Sequence, residues 1–373
     1  MNILNFILHC FKVLTLFNRI LPKRKCLFLY ANIGFRDNIK GFYDYLIENN
    51  YNEKYPIVCA CNDYKEYKSQ KIKNVRFTHN VEGIFYFLTS RYCFYCFGKY
   101  PIKPARKQIV VNLWHGMPLK KIGVAKEEGK KQRYFTHLLA TSEYFKPIMM
   151  ECFQADEEQI IINGNPRVDA MARKDKKIEE LFRFSDYNKI IFWCPTYREH
   201  SFFEETELPL IRSRKELNKL LDVLEKKNYL MIVKFHPLQK GATSRQFSNY
   251  FLSYGHDDFN RFHFDLYTFL GYCDGLITDY SSIYFEYLLL NRPIGFTVDD
   301  MQEYGNERGF VFEEPFKMMP GMKIKNIEEL LLFIKNLDSE DEYRNEREKV
   351  NQLVNTYQDF ENSKRLTEWL GLQ

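Results

Sequence analysis

Two doubly wound α/β domains are what this sequence predicts, and three observations carry the prediction. At 373 residues the chain exceeds what one hydrophobic core usually serves. Short apolar runs alternate with helical patterns along its whole length, and no repeat period appears. The stretch Asp274-Gly-Leu-Ile-Thr-Asp279-Tyr-Ser-Ser282 reads as a buried strand running straight into a helix, the unit from which parallel sheets are built.

Composition narrows the class. Apolar residues make up 45% and aromatics 17%, enough for large cores, so disorder is excluded for most of the chain. The formal charge, 54 minus 49 or +5, is too mild to argue for nucleic acid. Basic residues gather in the first half, at Lys23-Arg-Lys25, Lys99 to Lys107 and Lys120 to Arg133. An anionic membrane surface or a phosphate-rich acceptor would be drawn there; solvated charge is the plainer reading of any single run. Nine cysteines lie in apolar runs such as Arg91-Tyr-Cys93-Phe-Tyr-Cys96-Phe and read as reduced, buried side chains of a cytosolic protein. Cys93 and Cys96 have zinc spacing without a second pair, so no metal site is expected.

Residues 1–25 form an apolar, interrupted segment followed by basic residues. It is too short and broken for a membrane span and lacks a cleavage site. Leu4, Ile7, Leu8, Phe11, Leu14, Leu16 and Phe17 would make the apolar face of a helix, either lying in a membrane interface or packed on the core.

Residues 26–175 are assigned to a first domain. Leu27 to Asn32 opens it as a strand, and Gly34 and Asp37 turn the chain into a helix. Strands Tyr55 to Cys61, Val75 to Thr78 and Tyr92 to Phe97 follow, with a helix over Glu82 to Thr89. Gln108 to Trp114 is a further strand that ends in His115-Gly116-Met117-Pro118-Leu119, a stiff turn able to present His115 to a cleft. A hydrogen-bonded structural role is the alternative for this histidine. Leu138 to Thr141 and Ile160 to Asn163 are strands around a helix over Glu143 to Cys152. After them, Gly164-Asn-Pro-Arg167-Val-Asp169 offers an arginine that either holds a phosphate or carboxylate bidentately or pairs with Asp169.

The charged run 171–188 marks the boundary, and residues 188–354 form the second domain. Strand Lys189 to Trp193 leads to Pro195, Thr196 and Arg198. Helix Lys215 to Lys227 and strand Tyr229 to Lys234 lead to Phe235-His236-Pro237. Then comes the strand ending at Thr278, with Asp279, Ser281 and Ser282 at the start of a helix that Pro293 ends. Two hydroxyls at a helix N-terminus beside a strand end make an anion cradle; a mere helix cap is the competing reading. Glu286, one turn along, either reaches a ribose hydroxyl or is an exposed helix residue. Strand Pro293 to Thr297 and helices Ile327 to Asn336 and Glu340 to Leu370 complete the chain, residues 355–373 being expected to pack back on the first domain.

Read without relatives, phosphate binders in the second half and an isolated histidine in the first suggest a transfer from an activated nucleotide to an acceptor. Five motifs add to this: Trp114-His-Gly-Met-Pro-Leu-Lys120, Gly164-Asn-Pro-Arg-Val-Asp169, Cys194-Pro-Thr-Tyr-Arg-Glu199, Lys234-Phe-His-Pro237 and DGLITDYSSIYFEYLLLNRPIGF. In this order they resemble the CDP-glycerol glycerophosphotransferase family of teichoic-acid primases and polymerases, over roughly residues 31 to 315.

The resemblance implies a GT-B architecture, two Rossmann-like domains facing across a cleft, with residues 1–25 on the membrane surface. It implies a CDP-glycerol or CDP-polyol donor, CMP as leaving group, and a lipid-linked glycan or polyol-phosphate acceptor at the cytoplasmic face of the membrane. His115 matches the family's base and His236 its second histidine, so both are expected to be catalytic. Trp114, Gly116, Met117, Pro118, Leu119, Lys120, Arg167, Pro195, Thr196, Arg198, Phe235, Pro237, Thr278, Asp279, Ser281, Ser282 and Glu286 are expected around the substrates, Asp279 as the residue that orients its turn. No Asp-x-Asp pair appears, so no obligatory metal is expected; Mg²⁺ is compatible with the chemistry but not called for. Met117 stands where the family often has Thr, and Tyr197 where it has Trp or Phe, which bears on donor and acceptor identity. The rival readings are a nucleotide-sugar glycosyltransferase of the same architecture and a non-catalytic polymer-binding protein on the membrane.

Overall fold

Leu27, Phe28, Leu29, Tyr30 and Ala31 are buried on both faces of their strand, the pattern of a strand inside a parallel sheet covered by helices. A computed structural model describes the chain apart from residues 1–2, 123–132, 197–205, 207, 237–238, 240–243, 263, 302–303, 306–308 and 373. It divides into two compact units, one of Met1–Met117, Ile122–Asp169 and Thr356–Gln373, the other of Pro118–Lys121 and Ala170–Asn355.

The first unit runs α1 (Ile3–Ile20), β1 (Arg24–Ala31), α2 (Asp37–Glu48), α3 (Tyr51–Lys54), β2 (Ile57–Cys61), α4 (Tyr64–Tyr67), β3 (Val75–Thr78) and α5 (Asn80–Thr89). It continues through β4 (Ser90–Tyr95), β5 (Ile109–Asn112), β6 (His137–Ala140), α6 (Phe145–Phe153) and β7 (Ile160–Ile162). Its sheet has the order β3-β2-β1-β4-β5-β6-β7, parallel throughout. The strand order reverses between β1 and β4, and the crevice outside such a reversal is where open α/β sheets bind ligands.

The second unit contains α7 (Lys176–Phe182), β8 (Lys189–Cys194), α8 (Arg214–Lys227), β9 (Tyr229–Lys234), β10 (Arg245–Ser248), β11 (Phe251–Tyr254), α9 (His256–Asn260) and α10 (Leu266–Leu270). After these come β12 (Gly275–Thr278), α11 (Ile283–Tyr287), β13 (Ile294–Thr297), β14 (Met322–Ile324), α12 (Ile327–Asn336) and α13 (Arg344–Val354). The sheet order is β10-β11-β9-β8-β12-β13-β14, parallel except for the edge strand β10. Here the reversal lies between β8 and β12. Trp193, Tyr229, Phe251, Ile277 and Leu330 are fully buried in the core under one face.

Two helices differ from expectation. The helix expected over Glu340 to Leu370 is broken. α13 stops at Val354, Asn355 donates its amide to the Phe285 carbonyl at 2.7 Å, and α14 (Asn362–Trp369) starts anew in the first unit. Asp169 starts it, accepting from the Asn362 backbone N–H at 3.0 Å, the Asn362 amide at 2.8 Å and the Ser363 N–H at 2.8 Å. Arg167 therefore does not pair with Asp169. The helix after Asp279 is the five-residue α11 followed by a 3₁₀ turn at Leu288–Leu290, rather than one helix to Pro293.

In the described part of α1, Asn18 is wholly buried and its amide donates to the Gln108 side chain at 2.7 Å and the Lys103 carbonyl at 3.0 Å. Leu16, Phe17 and Ile20 are exposed on the same helix. Of the residues expected on its apolar face, Phe11 and Leu14 are half-buried and Leu16 and Phe17 are exposed. Among the described residues no helix is long and apolar enough to cross a membrane.

Gly41, inside α2, permits a close approach: a Cβ there would sit 2.7 Å from the Arg167 Cα and 2.9 Å from the Pro166 carbonyl oxygen. In an exposed helix, Gly to Ala would stabilise by up to ~1 kcal/mol. Here the clash is with backbone, which has little freedom to yield, so Gly41→Ala is expected to destabilise by about 1–3 kcal/mol. Thermal unfolding of the variant checks this, as a melting temperature lowered by several degrees.

Candidate functional site

The first cluster grows from the end of β5. Asn112 accepts the Trp114 N–H at 3.0 Å, which folds the chain back, and Trp114 takes a left-handed φ of 52°. Gly116 follows with φ of 113°, a conformation that favours glycine. Between them His115 is half-buried, its ring lying flat on Phe97 (centroids 4.5 Å, 13° between planes) and against Trp114 at 3.8 Å. Phe97 follows β4, so the imidazole lies beside the strand-order reversal of the first sheet.

The backbone of this loop is held from behind. Asn38, wholly buried on α2, shares its amide among the carbonyls of Leu113 (3.2 Å) and Trp114 (2.9 Å) and the side chain of Asn165 (3.2 Å). Its own oxygen accepts the Arg167 N–H at 3.2 Å. The Arg167 guanidinium, 5% exposed, donates to Asp37 at 2.5 Å and to the His115 carbonyl at 3.0 Å. Arg167, named as a residue to hold a substrate anion, thus touches Asp37 and the backbone of the histidine loop.

The second cluster sits at the strand-order reversal of the second sheet. Asp279, after β12, accepts from both the backbone N–H and the hydroxyl of Thr196, after β8, each at 2.8 Å. This clasp fits the orienting role expected of Asp279, whereas the Thr196 hydroxyl, expected to face phosphate, is given to Asp279. Ser281 and Ser282 are half-buried, and Ser282 makes no capping bond with its side chain. The competing cap reading concerned Asp279 and Ser281, and of these Asp279 holds Thr196.

His236, after β9, is half-buried, and its pKa is lowered from the ordinary value to about 4, by burial first, then by the charges of Lys120 and Lys234. The imidazole is neutral at physiological pH and carries one N–H to donate. Folded His236 takes up its proton near pH 4, against 6.5 when free, so the unfolded chain binds more protons between these values. The second unit therefore loses stability as pH falls from about 6.5 towards 4. Lys120 reaches this unit because Pro118–Lys121 bridges to the segment around Phe310: the Val311 N–H donates to the Leu119 carbonyl at 2.9 Å and the Lys121 N–H to the Gly309 carbonyl at 3.2 Å. The Lys120 ammonium donates to the Tyr304 hydroxyl at 3.4 Å, and Tyr304 stacks on Tyr280, whose hydroxyl donates to Asp300 at 2.9 Å. Replacing Lys120 by Met removes one of the two charges that depress His236. NMR titration of the imidazole is expected to show its midpoint rising above about 4 but staying below 6.5, because burial, the larger cause, remains.

Several expected contact residues are sealed. Thr278 is wholly buried, its hydroxyl donated to the Cys194 carbonyl at 2.8 Å, and Phe235 belongs to the core of the second unit. Met117 and Leu119 are each 1% exposed, and Pro118 and Pro195 are also buried. Glu286 is neither exposed nor free for a ribose: it is 2% exposed and accepts the Tyr267 hydroxyl at 2.6 Å. Arg198 and Pro237 lie outside the described residues. Among the described residues, no group of three or more His, Cys, Asp or Glu side chains could hold a metal ion. Cys93 and Cys96 are buried and free, with thiol pKa values pushed well up by burial.

The sequence did not single out Phe97 or Tyr304; Asn38 entered only through the resemblance, as part of an Asp-Asn pair expected near the acceptor cleft, and Lys234 only as the first residue of a motif. Asn38 stood next to a cap residue and Tyr280 inside a quoted motif, but nothing local distinguishes a buried amide that ties two loops from a surface one.

Comparison with known proteins gives these clusters a setting. Residues 13–371 match the family CDP-glycerol:poly(glycerophosphate) glycerophosphotransferase. The teichoic acid ribitol-phosphate primase of Bacillus spizizenii is 27% identical over 298 residues, 74% of this chain and 73% of that protein. The teichoic acid poly(glycerol phosphate) polymerase of the same organism is 26% identical over 347 residues, 84% of each chain. The structure of the wall teichoic acid polymerase TagF superposes with a TM-score of 0.78 at 21% identity, over 99% of this chain and 94% of that one, which extends the likeness to the GT-B-like fold. With a family match across almost its whole length, motifs in the family's order and two sheets of this topology, the chain belongs to the CDP-glycerol:poly(glycerophosphate) glycerophosphotransferases.

Proposed function

We propose that this protein transfers glycerol phosphate, or a related polyol phosphate, from a CDP-activated donor to an acceptor hydroxyl of a teichoic-acid-like or capsule polymer precursor, releasing CMP. The observation that carries the reading is the second cluster. The charges of Lys120 and Lys234 act on a neutral His236 imidazole after β9, and the Asp279–Thr196 clasp with the half-buried Ser281 and Ser282 stands at the strand-order reversal of the same sheet. Lys120, Lys234 and the N–H of His236 supply charge and hydrogen bonds to a pyrophosphate, with Ser281 and Ser282 as further donors.

His115 acts as the general base. It takes the proton of the acceptor hydroxyl as that oxygen attacks the phosphorus bearing the polyol. The bond from this phosphorus to the bridging oxygen breaks, and the electron pair leaves with CMP. Positive side chains at the phosphates neutralise the charge that develops on the leaving group, the task such sites perform in phosphoryl transfer generally.

Attachment to the cytoplasmic face of the membrane is proposed for the same protein. Leu16, Phe17 and Ile20 are exposed on α1, beside Lys12 and Arg19, an arrangement suited to an anionic interface. Incubation with a panel of CDP-polyols and nucleotide sugars tests the reaction. Release of CMP from a CDP-polyol is expected; release of a nucleoside diphosphate from a sugar donor would make it a glycosyltransferase, and no turnover of any donor would leave a binding protein.

A further inference from the structure

We infer that Asn38 and Arg167, with Asp37 behind them, are positioning residues that hold the catalytic histidine loop in its working conformation. The inference rests on the reading of His115 as the base. Three consecutive carbonyls, those of Leu113, Trp114 and His115, accept hydrogen bonds from just two side chains, Asn38 and Arg167. These are the left-handed Trp114 and the residue on either side of it, and a bulky side chain adopts that conformation only when its surroundings enforce it.

The two side chains also lock each other, through the Arg167 N–H on the Asn38 oxygen. Asp37 completes the arrangement: it has a left-handed φ of 66°, one carboxylate oxygen accepts the Asn38 N–H at 2.7 Å, and the other accepts from Arg167. The ion pair is nearly dry, at 6% and 13% side-chain exposure, so neither charge is well placed to recruit a solvated ligand. The lack of a side chain at Gly41 lets α2 approach the Pro166–Arg167 backbone closely enough for these bonds to form. The first domain thus uses a helix N-terminus and a loop after β7 to aim a group that belongs to the loop after β5.

The test compares Asn38→Ala and Arg167→Lys, each alone and combined with His115→Ala, using the CDP-polyol that is turned over. Lysine keeps a positive charge for Asp37 but offers a point charge in place of the planar fork, so it cannot span Asp37 and the His115 carbonyl. Each single variant is expected to lower kcat about 10- to 100-fold, the cost of a misplacement near 1 Å, with donor KM changed less than about twofold. In the His115→Ala background the same substitutions are expected to cost nothing further, because the group they aim is gone.

A full additional loss in that background would overturn the inference, as would a raised donor KM at unchanged kcat, which would make Arg167 a ligand contact. Failure of both variants to fold would also overturn it, since the network would then serve the fold alone. His115→Ala with undiminished activity is a different result: it removes the base assignment itself.

Discussion

Replacing His115 by alanine is expected to lower kcat by about 10²- to 10⁴-fold, the usual contribution of a positioned general base. Donor affinity, measured by CDP-polyol binding at equilibrium, is expected to stay within about twofold, because the groups proposed to bind phosphate belong to the second unit. The physical reason lies in the loop. The imidazole is packed against Phe97 and Trp114, and its chain neighbours Trp114 and Gly116 both have positive φ, so its direction is set by packing and backbone rather than by a flexible side chain. Unchanged kcat would reassign the proton transfer to another group, and a large fall in donor affinity would make His115 a donor ligand.

His236→Ala is expected to reduce kcat/KM for the donor by about 10²- to 10³-fold, the scale set by removing one preorganised donor from a developing anion. Here pH dependence discriminates. With its pKa lowered to about 4, His236 stays neutral throughout the range in which the enzyme is assayed, so it contributes no ionisation near neutrality. The pH profile of the residual activity of His236→Ala is therefore expected to keep the wild-type shape above pH 5, at reduced height. A limb near pH 6.5 that disappears with His236 would assign it the proton-transfer role. A bound pyrophosphate offsets the charges of Lys120 and Lys234, so it would raise the His236 pKa, and donor binding would take up protons below neutrality.

Much of the fold could be read from local pattern. Val75–Thr78, Tyr229–Lys234 and Ile327–Asn336 coincide with elements expected from alternation and helical spacing, since burial on both strand faces and a single apolar helix face leave strong periodic signals. β10, β11 and β14 were not foreseen; they are three or four residues long, too short to leave a clear periodic signal. The break between α13 and α14 was also missed. The residues Glu340 to Leu370 are compatible with one helix, and what interrupts it is Asp169, which captures the N–H groups of Asn362 and Ser363 from far along the chain.

The site divides in the same way. The motifs marked the strand ends at which His115, Thr196, His236 and Asp279 stand, but not which side chains face a ligand. Thr278, Phe235 and Glu286 looked equivalent to their neighbours and are sealed by packing, while the motifs did not say that the Asn38 amide ties the His115 loop or that the Lys234 charge acts on His236.

By itself the sequence determined the class of chemistry, because histidines, hydroxyls and cations at strand ends are chemically legible wherever they occur, and it determined the alternation of elements, because periodicity is local. Only the tertiary structure decided which of those groups are free to act. Burial is a property of neighbours, and the Arg167–Asp37 pair, the Lys120–His236 proximity and the Thr196–Asp279 clasp each join residues that no local pattern connects.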